Sequence, residues 1–509
     1  MDAEANHQEQ HSAAQQDITA GLRERGFGSR SVTAVGIVTR DRETSLAPCL
    51  ASYLANCRRH ARSPEFVVVD GAAGEEGSGR VRAALRALAA ASGATIRYAG
   101  PAEKKRFADA LVRESSVSGE IVDFALFGDR RCRLSTGANR NSLLLDTLDT
   151  LVFSVDDDTL CRTAVAPQPQ ESVAFVPAYD PTEYWFFPDR RGALEFARVV
   201  ETDLLGRHEE LLGRPLADFE ATGALTGRVA ITLPGLVGDS GMGSPRYYLT
   251  LSGPSRARLL HSRTAYLSAL RSREVLRTVP QPTIAASAFC MTTFFGFDNR
   301  LLLPPFFPVE RNSDGIFGLM VHRSVTGSHV AFMPWLLLHA PSEPRAFDGD
   351  EAWTEAEGVK IADILIACIT SHAGSADVSA AARFQSLGKY LGDLASLRLD
   401  DFEAFVTAAQ QLRNLAATTL LETRLREHRA SPAFWADDVR RTIDALRGTV
   451  TKRDYIVPRE LRNADDAKSA RRITPQLVAK FGGLLEAWPA LVEAARRLRM
   501  KGCRVSEPL

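Results

Sequence analysis

The chain has 509 residues, 45% of them apolar and 24% charged, with 62 Lys plus Arg against 62 Asp plus Glu; this is ordinary globular usage and enough chain for two or three domains with a large core. Balanced charge gives no whole-chain field toward nucleic acid or an anionic membrane face, so an anionic ligand has to be caught by local groups. The seven cysteines, at 49, 57, 132, 161, 290, 368 and 503, form no CxxC pair, and no apolar run reaches the roughly 20 residues of a membrane span; a cytoplasmic chain with no transmembrane segment, no disulfide framework and no thiolate zinc site is expected.

Residues 1 to about 30 (HQEQHSAAQQD within them) offer almost nothing to bury and read as a flexible tail. Ala34 to Thr39 (AVGIVT) is then a short β-branched run, Leu46 to Arg59 a helix, and Phe66 to Asp70 (FVVVD) a second strand. Helical periodicity recurs at Val81 to Ala91, Lys104 to Ser115 and Asn139 to Leu148, the last leading into the apolar strand Thr150 to Val155. Strands alternating with helices predict a parallel sheet covered on both faces.

From Ala164 to Ser252 the pattern is mixed: strand-like runs at Ser172 to Val176, Val229 to Leu233 and Tyr247 to Leu251, with a helix near Leu194 to Leu212. We read about 164–282 as an insertion. Gly315 to Val321 and Val330 to His339 return to apolar structure, closing a first domain over 31–345. The remainder, 346–509, is predicted all-α, with helices at Glu355 to Thr370, Asp377 to Leu397, Phe402 to His428, Pro432 to Leu446 and Pro475 to Leu498.

The strand Thr150 to Val155 runs into Asp156, Asp157 and Asp158. Carboxylates at the carboxyl edge of a parallel sheet lie where open α/β sheets bind ligands, and Mg²⁺ or Mn²⁺ takes one or two such oxygens while substrate phosphates complete its shell. Three aspartates alone are equally a solvated turn or a helix N-cap. Their company is more specific: AVGIVTRDR, FVVVDGA, GANRNSLLL and VFSVDDDT, in that order, resemble the nucleotide-binding half of GT-A fold glycosyltransferases of the family-2-like group. The resemblance spans roughly residues 31 to 165, and more loosely extends to about 345.

That resemblance implies a GT-A-like, Rossmann-type mixed or parallel sheet flanked by helices, and a nucleotide-diphosphate sugar as donor, a UDP-sugar being favoured. It implies that Thr39, Arg40 and Asp70 contact the nucleoside, that Arg140 lies near the base or diphosphate, that Asp156 faces the ribose beside Asp157, and that Asp158 holds Mn²⁺ or Mg²⁺. His339, at the end of WLLLH, is a candidate third ligand, although a lone histidine beside apolar residues more often belongs to the core; His322 is the weaker alternative. RNSDGIFG resembles the Glu-Asp element that supplies the base in inverting members, but here the pair is Ser313 and Asp314, leaving one carboxylate that serves equally as an N-cap. Asp298 with Arg300, and Asp180 with Glu183, Tyr184 and Trp185, are further candidates for the sugar or acceptor, against the plainer readings of an ion pair and of ring packing.

GDSGMGSP, residues Gly238 to Pro245, resembles the segment around a serine-protease nucleophile and would make Ser240 catalytic, yet no TAxHC-like segment precedes it and the pattern carries insertions. Its ordinary role is a glycine-rich turn. Two rivals remain: a nucleotidyltransferase on a similar scaffold, which TRDRETS disfavours for want of glycine, and a non-catalytic interaction protein using the helical region. The acceptor is open among peptide, glycan and small natural product, and the helices either bind it, brace the first domain or form a homodimer.

Overall fold

The computed structural model describes residues 30–72, 74–219, 226–347, 359–374, 378–450, 455, 457–461 and 467–509; the tail reading for 1–29 falls outside them. Among these residues, fourteen strands join one mixed sheet. They are β1 (Val32–Thr39), β2 (Glu65–Asp70), β3 (Ile96–Ala99), β4 (Leu151–Asp156), β5 (Thr159–Val165), β6 (Ala174–Val176), β7 (Glu183–Phe186), β8 (Arg198–Val199), β9 (Arg228–Asp239), β10 (Glu274–Thr278), β11 (Thr283–Ala285), β12 (Phe294–Asp298), β13 (Ser328–His339) and β14 (Glu507–Pro508).

The first half behaves as the βα alternation dictates. β3, β2, β1 and β4 lie side by side and parallel, and successive residues face opposite sides. Val35, Ile37, Phe66 and Val68 pack under the helix Glu43–Arg59, while Ala34, Val38, Val67 and Val69 enter the core on the other face. Beyond β4 the expectation of a parallel sheet is corrected: β12 runs antiparallel to both β4 and β9. The long strands β9 and β13 are parallel, with a register break between Phe332 and Leu336. Pro234 and Pro334 sit in that break, and proline gives no N–H to a ladder. Before it, β13 pairs with β11 and β9 with β12; after it, β13 pairs with β5 and β9 with β10.

Two local expectations fail for identifiable reasons. The helix near Leu194 to Leu212 is two short helices, Arg190–Phe196 and Leu204–Glu209, separated by β8. Asp203 starts a new helix by accepting from Gly206 N at 3.1 Å, as Asp189 starts the first by accepting from Gly192 N at 2.8 Å. Tyr247 to Leu251 is no strand but part of a 3₁₀ turn, Pro245–Thr250, because Ser244 caps Arg246 N at 3.2 Å and proline favours a first helical position.

The carboxyl-terminal helices Ile361–Ser371, Ala380–Ala395, Leu399–Glu427 and Ala433–Val450 lie where the periodicity puts them, the starts of the first two predicted helices falling partly on residues outside those described; the last, Ala467–Met500, begins before Pro475 and carries that proline inside it. Phe481, Leu485 and Trp488 of the last helix share a core with Val67 and Val69, and Trp488 Nε1 donates to Leu303 O at 2.8 Å. The final residues return as β14 along β3, where buried Asp146 accepts from Ser506 N at 2.8 Å and from Arg504 Nη2 at 2.7 Å. No helix among the described residues is long and apolar enough to cross a membrane.

Candidate active site

Thr39, Asp70 and Asp156 close the parallel strands β1, β2 and β4, and Asp239 and His339 close the parallel pair β9 and β13. β5 leaves the acidic turn at Thr159 in register with His339. Strand direction alone therefore gathers these side chains at one edge of the sheet.

The three aspartates point to different partners. Asp157 is 3% exposed; its Oδ2 accepts from Thr39 Oγ1 at 2.6 Å and its Oδ1 from Arg42 Nη1 at 3.0 Å. Asp156 Oδ1 accepts from Arg140 Nη2 at 2.7 Å, and the same nitrogen reaches Thr292 O at 3.1 Å. Asp158 Oδ1 lies 3.3 Å from His339 Nε2, and its Oδ2 lies 3.7 Å from Arg42. Burial pushes Asp156 up to about 7 and Asp157 up to about 6, against the pull of Arg140 on the first and of Thr39 and Arg42 on the second. Burial acts in the same sense on Asp158, but the His339 hydrogen bond and charge outweigh it and hold this carboxyl below its usual range. Conversely, burial alone would depress His339, and Asp158 raises it. Crowded carboxylates of this kind are relieved by added positive charge.

A divalent cation fits the Asp158 and His339 pair. His339 Nδ1 donates to the Asp239 carbonyl at 2.6 Å, so Nδ1 keeps its proton, and Nε2, whose proton points at Asp158 when the ring is charged, is the nitrogen that a cation would take in exchange for that proton. The 3.3 Å between the two ligand atoms is close to the roughly 3 Å between neighbouring ligands at Mg²⁺ bond lengths. Among the described residues no three His, Cys, Asp or Glu side chains form a metal-holding group, so the remaining ligands would be phosphate and water, as Mg²⁺ commonly accepts.

Around this turn lie the other expected residues. Asp70 is fully buried, accepting from Tyr98 OH at 2.9 Å and from Asp41 N at 3.4 Å. Arg140 is 3% exposed, and its Nε and Nη1 have no hydrogen-bond partner among the described residues. Asp314 opens the helix Ser313–Ser324 and, among the described residues, accepts only from its neighbour Gly315 N, at 3.0 Å. The charges of Asp314 and Arg140 both reach the buried Cys290 thiol, the carboxylate pushing it up together with burial and the guanidinium pulling it down. Arg40 is exposed and donates to Arg133 O at 2.9 Å.

Several candidates are placed elsewhere. Asp298 ends β12 opposite Leu151, the first residue of β4, and so lies at the far edge of the sheet, paired with Arg300 at 2.7 Å. His322 is near the amino end of β13, a strand away from Asp158. Tyr184 is core, and Asp180 pairs with buried Arg277 at 3.1 Å. Ser240 Oγ accepts from Met242 N within its own turn, at 3.4 Å; the residue of GDSGMGSP that matters is Asp239, fully buried, which holds His339 by its carbonyl while its carboxylate pairs with Arg273 and Arg345, each at 3.0 Å. Arg42, Asp239 and Lys104 escaped the sequence reading. Lys104, buried, donates to Asn139 Oδ1 at 2.9 Å, and Asn139 Nδ2 to Thr39 O at 3.2 Å; only the RDR that follows the first strand hinted at Arg42.

No protein-family model matches the chain, and no curated protein matches it. Two solved structures align over most of both chains: S. aureus TarS 1-349, 13% identical over 82% of this chain and 90% of that one with a TM-score of 0.30, and S. aureus TarS 1-349 in complex with UDP-GlcNAc, at the same identity and coverage with a TM-score of 0.31.

Proposed function

We propose that this chain is a metal-dependent glycosyltransferase of GT-A type, moving a sugar from a nucleotide-diphosphate sugar, a UDP-sugar first among the candidates, to an acceptor hydroxyl or other nucleophile. One observation carries the reading: an acidic turn at the carboxyl edge of a parallel sheet, in which Asp158 faces a histidine whose second nitrogen is already occupied.

In this mechanism Thr39, Asp70 and the free edge of Arg140 form the nucleoside and diphosphate side of the site, with Asp156 toward the ribose. Asp157, tied to Thr39 and Arg42, sets the shape of the turn. Asp158 and His339 would hold Mn²⁺ or Mg²⁺, which supplies charge neutralisation for the departing diphosphate. Asp314 takes the acceptor proton as the nucleophile attacks the anomeric carbon; the bond from that carbon to the diphosphate oxygen breaks, and configuration inverts. Its lack of a cationic partner among the described contacts suits a base that must be free to accept.

The test is incubation with Mn²⁺ and a panel of nucleotide sugars, following release of nucleoside diphosphate with and without EDTA. Metal-dependent release from one donor supports the proposal. Pyrophosphate release from a nucleoside triphosphate would instead indicate nucleotidyl transfer, and inertness toward every nucleotide an interaction protein.

A further inference from the structure

A cleft of about 820 Å³ opens beside the site, lined by Arg190, Arg191, Arg271 and Arg345 against the carboxylates Asp189 and Glu274. Its size suits an organic ligand rather than a lone ion. It joins the acidic turn through a continuous chain: Arg345 Nε holds Asp239 Oδ2 at 3.0 Å, the Asp239 carbonyl holds His339, and His339 faces Asp158.

The charges do not cancel inside this cleft. Glu274 pairs with Arg190 at 3.0 Å, and Asp189, whose carboxylate accepts from the Gly192 amide and keeps its charge, is the other carboxylate set against the four arginines. Arg345 is committed to Asp239. Arg271 has no ion-pair or hydrogen-bond partner for its side chain among the described residues, and exposed Arg191 has only Glu195, four residues on in the same short helix. Such an exposed pair within one helix is weak, so it yields readily to a better anion. Thr264 and Ser268 place hydroxyls on the same wall, and Leu267, 41% exposed, gives it an apolar face.

Resting on the glycosyl-transfer reading, we propose that this cleft receives the acceptor, and that the acceptor bears a phosphate or carboxylate group gripped by Arg191 and Arg271. The cleft is built from the helices Arg190–Phe196 and Arg263–Ala269 and the strand β10, none of which carries the nucleoside-side residues. Arginine suits the task, since its planar fork meets such oxygens two at a time.

The test uses fluorophore-labelled short-chain polyphosphate as the phosphate probe and labelled poly-aspartate as the carboxylate probe, in EDTA at about 50 mM salt. Anisotropy is read on the full chain, on Arg191→Ser/Arg271→Ser, and on a charge-matched control, Lys105→Ser/Arg113→Ser, across the sheet. UDP with Mn²⁺ is titrated into the same proteins. Saturable binding of either probe, weakened about tenfold or more in the cleft variant and unchanged in the control, with UDP binding intact, supports the proposal; the probe that binds identifies the anion. Equal weakening in both variants, no probe binding by the full chain, or displacement of the probe by UDP would overturn it. Failure of the full chain to bind UDP, with the probe result as expected, would sink the glycosyl-transfer reading and leave the anion cleft standing.

Discussion

His339 Nε2 lies 3.3 Å from Asp158 Oδ1 while its Nδ1 sits 2.6 Å from the carbonyl of Asp239. The imidazole is thus oriented from behind by the backbone and offers its remaining nitrogen to a carboxylate. If this pair holds the cation, His339→Ala weakens Mn²⁺-dependent UDP binding by about 10–100-fold, with far-ultraviolet circular dichroism unchanged; calorimetric titration of UDP at fixed Mn²⁺ measures it. Wild-type affinity in this variant would remove the histidine from the metal set.

Asp314 separates binding from chemistry. Among the described residues its carboxylate accepts a hydrogen bond only from the adjacent Gly315 amide, so Asp314→Asn leaves the helix start and the fold in place. The expected outcome is unchanged UDP affinity with transfer to acceptor reduced about 10²–10⁴-fold, the usual contribution of a general base. Equal transfer by variant and wild type assigns the proton to another group.

Burial pushes the Lys104 ammonium down from 10.5 to about 8. Its folded value lies below its unfolded one, so between about 8 and 10.5 the unfolded chain keeps a proton that the folded chain has released, and stability rises with pH across that window. Below it both states are protonated and the burial penalty is constant. Urea unfolding at pH 7.5 and 9.5 should show the wild type gaining on the order of 1–2 kcal/mol relative to Lys104→Met over that interval. Parallel pH profiles for the two proteins would contradict the assignment.

Gly137, in the GANRN segment, packs its Cα against the backbone of Phe307 and Pro308 so closely that a methyl group would overlap the Phe307 carbonyl. Because both sides are backbone, neither yields cheaply. Gly137→Ala should therefore destabilise the chain by about 1–3 kcal/mol, seen as a lower thermal midpoint, and should loosen Arg140, three residues on in the same helix.

The βαβ start, the apolar run into the acidic triplet and most helices are legible because each depends on local periodicity. The triplet's place at a sheet edge follows once β1 and β4 are neighbours. Long-range pairing is what the sequence conceals. That Asp157 turns inward to Thr39, while the adjacent Asp158 turns to a histidine far along the chain, depends on β5 meeting β13. Asp298 looks like one more aspartate at a strand end, yet β12 runs the other way and carries it to the opposite edge; strand direction leaves no mark in a five-residue apolar run. Asp239 hid inside a glycine-rich motif that drew attention to its neighbour Ser240.

The most direct measurement of the central claim is calorimetric titration of UDP into wild type and Asp158→Ala, each with Mn²⁺ and with EDTA. We expect wild-type binding that EDTA abolishes, and no Mn²⁺-dependent component in the variant, both proteins remaining folded. Equal affinity of the two proteins for UDP in Mn²⁺ would contradict the account.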